Sequence, residues 1–207
     1  MSIKFTAYVS NMEAGTSHLL TNDPHNELDS AFVTSERTRY IPITHPEAAK
    51  AALKTCEEQE GPALYIPGYV QLTIDGIDFF TEDDWTTDLL MTWRDFALLL
   101  DADYLNSIDE KEVILLDNQT QCVITKVGDN MKVKIERFLM PEDETIDLDQ
   151  VENTISETPL VSKDEFLHAI KEELEHFTKF LTSEATFKED SSYEDILEIY
   201  NEEAGQK

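Results

Sequence analysis

The stretch Tyr69–Leu100, YVQLTIDGIDFFTEDDWTTDLLMTWRDFALLL, decides how the rest of the chain is read. Val70, Leu72 and Ile74 alternate with polar residues, the period of a strand with one buried face. Asp75-Gly76 takes positive φ cheaply, so the dipeptide predicts a tight two-residue turn into a second strand. Thr81 is placed to accept the orphan amides of a new helix, with Glu82, Asp83 and Asp84 in its positive first turn. Along that helix Trp85, Leu89, Trp93, Phe96 and Leu100 recur at spacings of four, four, three and four, and Leu90, Ala97 and Leu98 widen the stripe. Both tryptophans fall on this one face, which makes it a core element in preference to a binding hot spot.

Upstream, residues 3–9 hold β-branched and aromatic side chains and predict a first strand. Asn11, Gly15, Asn22, Asp23-Pro24 and Asn26 predict a long loop, followed by a short strand over Ala31–Thr34 with Arg37 and Arg39 beyond it. Thr44-His45-Pro46 opens a small-residue helix carrying Ala48, Ala49, Ala51, Ala52 and Leu53 and ending at Gly61-Pro62.

Downstream, the periodicity stops at Asp101, and the residues through Asn106 read as a loop. Val113–Leu116 suits a short buried strand. Cys122–Val127 and Met131–Phe138 flank Gly128-Asp129-Asn130, a hairpin signal, and Met131, Val133 and Ile135 alternate with Lys132, Lys134 and Glu136. Pro141–Pro159 is an acidic, partly ordered loop. Ser162-Lys-Asp-Glu165 reads as a capping box before a helix whose Leu167, Ile170, Leu174, Phe177 and Leu181 face the core. A second capping box, Ser191-Ser-Tyr-Glu194, opens a last helix with Ile196, Ile199 and Tyr200.

These elements define an α+β fold: an antiparallel sheet, a meander of about four to six strands, packed on two or three helices that need it to cover their apolar stripes. Residues 1–182 form one domain, with 141–161 as an acidic loop within it, and 183–207 form an acidic helical extension. At 207 residues and 41% hydrophobic, one core is the expectation. A mean hydropathy of -0.39 and the lack of a long apolar run exclude a membrane-spanning helix. The N-terminus lacks the pattern of a secretory signal, which points to the cytoplasm, with Cys56 and Cys122 reduced and structural.

Charge sets the function class. The chain holds 44 acidic and 16 basic residues, a formal net of -28. Such a surface repels nucleic acid and anionic membranes and speeds encounter with basic proteins. The acid is concentrated: from Pro141 to the end there are 20 acidic and 5 basic residues, against 24 and 11 over the first 140. Glu142, Asp143, Glu144, Asp147, Asp149, Glu194, Asp195 and Glu198 are therefore the expected partner-binding residues.

Other constellations carry less. His168, Glu172 and His176 lie at i, i+4 and i+8, but histidines eight apart do not chelate one ion without an intervening ligand, so a solvated face is the better reading. Neither Asp143, Asp147 and Asp149 nor Asp101, Asp103 and Asn106 follows the Gly and Glu spacing of an EF-hand loop. No metal or cofactor is expected. The acidic neighbours of Cys56 would raise its thiol pKa, and the chain has no nucleophile elbow, dinucleotide fingerprint or P-loop, so no catalytic residue is assigned. The Asn118-Gln-Thr120 sequon is silent in the cytoplasm. Lys126, Lys132 and Lys134 form a basic island suited to pairing with the acidic C-terminal region.

The hairpin Ile74–Phe80 before Asp84-Trp85, the Gly128-Asp129-Asn130 turn before Met131–Ile135, and the helix running from Glu165-Phe166-Leu167 to Phe180-Leu181 resemble small bacterial immunity-type proteins of polymorphic toxin systems. The resemblance covers about residues 68–182 and implies a non-enzymatic inhibitor that blocks the active site of a cognate toxin. The N-terminal segment and the acidic C-terminal extension depart from that pattern.

Two classes follow. One is an immunity protein or antitoxin whose carboxylates engage Lys and Arg around a toxin's active site. The other is a phage-type nucleic-acid mimic that occupies the DNA groove of a restriction or RNA-guided nuclease. A minor alternative is a carboxylate-dependent hydrolase. A mimic needs rows of carboxylates, whereas an immunity protein needs a compact patch with an aromatic anchor.

Overall fold

The computed structural model describes residues 1–11, 39–57, 65–139, 152–190, 192–203 and 205. The fold is α+β, and the expected single sheet is divided into two antiparallel ones. The first has the order β2-β1-β3-β4, from β1 (Ile3–Ser10), β2 (Tyr40–Pro42), β3 (Gly68–Ile74) and β4 (Ile77–Phe80). The second runs β5-β6-β7-β8, from β5 (Glu110–Val113), β6 (Thr120–Val127), β7 (Asn130–Leu139) and β8 (Glu152–Glu157), with β9 (Val161–Ser162) also on β7. The helices are α1 (Ala48–Glu57), α2 (Leu89–Ala97), α3 (Ala102–Ser107), α4 (Lys163–Thr182) and α5 (Tyr193–Glu203).

The hairpin forms as its sequence demands: Asp75 and Gly76 have φ of 49° and 81°, the paired positive values of a type I′ turn. Gly68 is required for a different reason. A Cβ there would collide with the carbonyl oxygen of Tyr8 on the neighbouring strand. Phe5 of β1 marks the centre of the core, with its ring 5.2 Å from Phe96 of α2 and 5.4 Å from Phe166 of α4. Trp93 of α2 lies 5.5 Å from Phe177 of α4, so both helices pack on the inner face of the first sheet.

Several expectations are corrected. The helix expected from Glu82 begins at Leu89, capped by Asp88, whose Oδ1 accepts the Met91 amide at 3.0 Å. Thr81 caps only a 3-10 turn over Glu82–Asp84. Between them Thr86 exchanges both backbone hydrogen bonds with Gly68, which holds the chain extended and takes the half-buried Trp85 off the stripe. The residues from Asp101 are not a loop, because Asp101 caps α3 by accepting the amides of Asp103 and Tyr104. Residues 114–116 are not strand: Asp95 accepts the Ile114 amide and Thr86 accepts that of Leu116. Ser162 begins α4 without a side-chain cap, since it pairs with Asn130 as β9 while the Lys163 amide bonds to the Asp129 carbonyl.

The acidic loop is also partly strand, as β8 pairs with β7 through Arg137 opposite Thr154 and Glu136 opposite Ile155. The C-terminal segment is packed on the body: Phe187, Tyr193 and Ile196 belong to the buried core. α1 spans Ala48–Glu57, so Thr44–Pro46 precede it instead of opening it. The Ala31–Thr34 strand, Arg37, Gly61-Pro62 and the Ser191 cap lie outside the described residues. No helix among the described residues is long and apolar enough to cross a membrane.

Candidate interaction surface

The two sheets are tied by charge. Arg137 on β7 donates to both oxygens of Asp84, which is fully buried, and also to the Phe79 carbonyl at 3.1 Å. That bond to Asp84 raises the guanidinium pKa further above its ordinary value. Asp95, buried on α2, takes Lys111 of β5 at 2.7 Å, and Arg94 lies 4.0 Å from Asp95 and 3.7 Å from Asp195. On the outer face of the second sheet Lys132 pairs with Glu157 and Lys134 with Glu136, while Lys126 donates to the Leu105 carbonyl. The basic island is thus engaged within the molecule. Lys171 and Lys179 of α4 pair with Glu203 and Glu175. With so many cations held internally, the field outside the protein is set by its carboxylates.

The sequence-assigned acids divide. Glu142, Asp143, Glu144, Asp147 and Asp149 lie outside the described residues. Glu194 and Glu198 are exposed on α5, one turn apart, and Glu202 continues the row on the same face. Asp195 turns toward the body and faces Arg94. The row is fixed in place because Tyr193 and Ile196 on the opposite side are buried.

Beneath α5 lie two further buried acids, Asp190 and Asp88, which no sequence pattern singles out. Asp190 is pushed up to about 6 by burial, with the Asp88 charge adding to the rise and the Ser192 amide and Arg94 opposing it. Asp88 is raised by the same loss of solvent, against the amides it caps. The Arg94 Nε is buried there with no hydrogen-bond partner among the described residues.

A second acidic surface, not assigned from the sequence, lies on the opposite side of the first sheet. Phe5, Ala7 and Val9 of β1 point into the core, so the intervening Tyr8 faces outward, directly opposite Tyr69 of β3. Their rings stack at 4.6 Å with an interplanar angle of 3°, and Tyr40 of β2 meets Tyr69 edge-on at 5.0 Å. Tyr8 donates to the Gln71 side chain at 3.0 Å, and the Arg39 guanidinium sits 5.7 Å from the Tyr40 ring centre. Burial raises the Tyr69 hydroxyl well above its ordinary pKa, helped by Tyr8 and Glu82. Burial also raises Tyr40, which Arg39 opposes and Glu82 and Asp83 reinforce. No composition or period brings these tyrosines together; only the strand register does.

The His168, Glu172 and His176 set does not converge. His168 approaches Glu172 at 3.5 Å, whereas His176 contacts Glu173 at 3.0 Å. Glu173 is itself structural, accepting the Ala7 amide at 2.7 Å on the edge of β1 not covered by β2. It borders a cleft of about 250 Å³ with Lys4 and Glu172. Among the described residues no group of three His, Cys, Asp or Glu side chains is placed to hold a metal. Cys56 and Cys122 are buried thiols, Cys56 donating to the Tyr65 carbonyl at 3.5 Å, and burial lifts the Cys122 thiol well above its ordinary range. Compared with family models, curated proteins and solved structures, the chain gives no match.

Proposed function

We propose that this chain is a non-enzymatic acidic binding protein that acts in the cytoplasm by occupying a basic protein partner, as an immunity protein or antitoxin occupies a toxin. The observation that supports it most is the placement of charge: cations are drawn into pairs such as Arg137–Asp84 and Lys111–Asp95, while Glu194 and Glu198 are held outward on a helix anchored by Ile196. A rigidly presented acidic row loses little conformational freedom on binding, and its field steers a basic partner before contact. The test is capture of partners at low and at high salt from cells that encode the protein, followed by assay of the captured protein. Stoichiometric inhibition of its activity supports the reading; a partner bound but fully active refutes it.

Mimicry of nucleic acid is the second reading. The row at Glu194, Glu198 and Glu202 favours it, with a rise of about 5.4 Å per helical turn. Displacement of the protein from its partner by duplex DNA would support mimicry, and retention would support toxin neutralisation.

A further inference from the structure

We infer that the outer face of the first sheet, where Tyr8 and Tyr40 flank Tyr69 beside Asp78, Glu82 and Asp83, is a docking surface for an arginine-bearing segment of the basic partner. The inference rests on the proposed basic partner and names where it anchors. The three rings form a cluster of their own: Tyr69 is buried yet does not belong to the hydrophobic core, and Tyr8 and Tyr40 are half-buried. Stacked and edge-on rings held by strand register are anchors that need no ordering on binding, which is why tyrosine dominates binding surfaces.

The acids decide the occupant. Asp78, Glu82 and Asp83 are exposed, and each lies near enough for its charge to act on one or more of the tyrosines. An aromatic face rimmed by carboxylates selects a planar cation, which stacks on the ring while its edge donates to the rim. The chain supplies an example of this chemistry in Arg39, whose guanidinium lies over Tyr40. The Tyr8 and Tyr69 stack beside it, bordered by Asp78, offers the same chemistry to a guanidinium from outside. The surface is also independent of the acidic row on α5, because α4 and α5 belong to the side of the sheet that Phe5 faces.

The test titrates the full chain at low salt with nona-arginine and with nona-lysine while following the tyrosine ring signals and the α5 amides by NMR. Nona-arginine should shift the Tyr8 and Tyr40 rings and bind more tightly than nona-lysine. Tyr8→Leu and Tyr40→Leu should each weaken nona-arginine by about three- to tenfold. Tyr8→Phe, which keeps the ring and the fold, should bind as the wild type does. Shifts confined to α5 with equal affinity for both peptides would overturn the docking surface and leave the basic-partner reading intact. Binding of neither peptide would contradict both.

Discussion

Arg137 and Asp84 join the two sheets through a bidentate pair, Nε to Oδ1 and Nη2 to Oδ2 both at 2.6 Å, across 53 residues of sequence. Asp84 is fully buried, and its remaining capacity is taken by the Thr81 amide at 3.0 Å and Thr120 at 3.4 Å. Arg137→Met therefore leaves a buried carboxylate without its counter-ion, at a cost of about 3–5 kcal/mol in urea titration. The double variant Asp84→Asn/Arg137→Met should cost less than Arg137→Met alone, because no charge is stranded. A double variant as costly as the sum of its singles would show that the pair does not couple the sheets.

The two tryptophans should separate. Trp93 is fully buried among Phe5, Phe96 and Phe177, so Trp93→Ala should lose about 3–5 kcal/mol. Trp85 lies outside α2 and is half-buried, and Trp85→Ala should lose less than about 2 kcal/mol. Equal losses would restore both residues to one buried stripe.

The legible parts of the fold were those where local chemistry and tertiary context agree. Asp75-Gly76, the alternation of Met131 to Ile135 and the stripe of α4 each specify one geometry. What the sequence hid was long-range. Thr81 and Asp88 are both credible caps, and only the pairing of Thr86 with Gly68 selects the second. The Ser162 box has the right residues, yet the strand pairing of Ser162 removes the need for it. For the site, net charge located the α5 row, but Tyr8, Tyr40 and Tyr69 are brought together only by strand register. Asp84 and Asp95 look like any other acid of this chain until their partners are seen 53 and 16 residues away.

Gly68→Ala should be among the most damaging small substitutions. Its methyl group would meet the Tyr8 carbonyl, which is backbone in a paired strand and cannot swing aside. A loss of about 1–3 kcal/mol is expected from overpacking alone, read by thermal or urea unfolding. An unchanged midpoint would mean that β1 and β3 are too far apart for that clash.

Stability should fall as pH rises through the titration of Asp190. Folded, this carboxyl holds its proton up to about pH 6, whereas an unfolded aspartate releases it near 3.9. Ionisation therefore costs the native state nothing below about pH 4 and the full penalty above about pH 6. Asp88 shifts in the same direction, and Arg94 is the cation facing both. Asp190→Asn keeps an acceptor for the Ser192 amide and should gain on the order of 1–3 kcal/mol near pH 7, with no gain below about pH 4. A variant whose stability tracks the wild type across that range would show that Asp190 ionises without penalty.

The central claim is that fixed, outward carboxylates recruit a basic protein. Its most direct test is the association rate with the captured partner as a function of salt, measured for the wild type and for Glu194→Lys/Glu198→Lys. The exposed position of both residues leaves the fold intact on reversal. The wild-type rate should fall steeply as salt shortens the Debye length toward about 8 Å, and the double reversal should be slower at low salt with a flattened dependence. Identical rates and slopes for the two proteins would contradict the claim, leaving the α5 acids as a solvating surface alone.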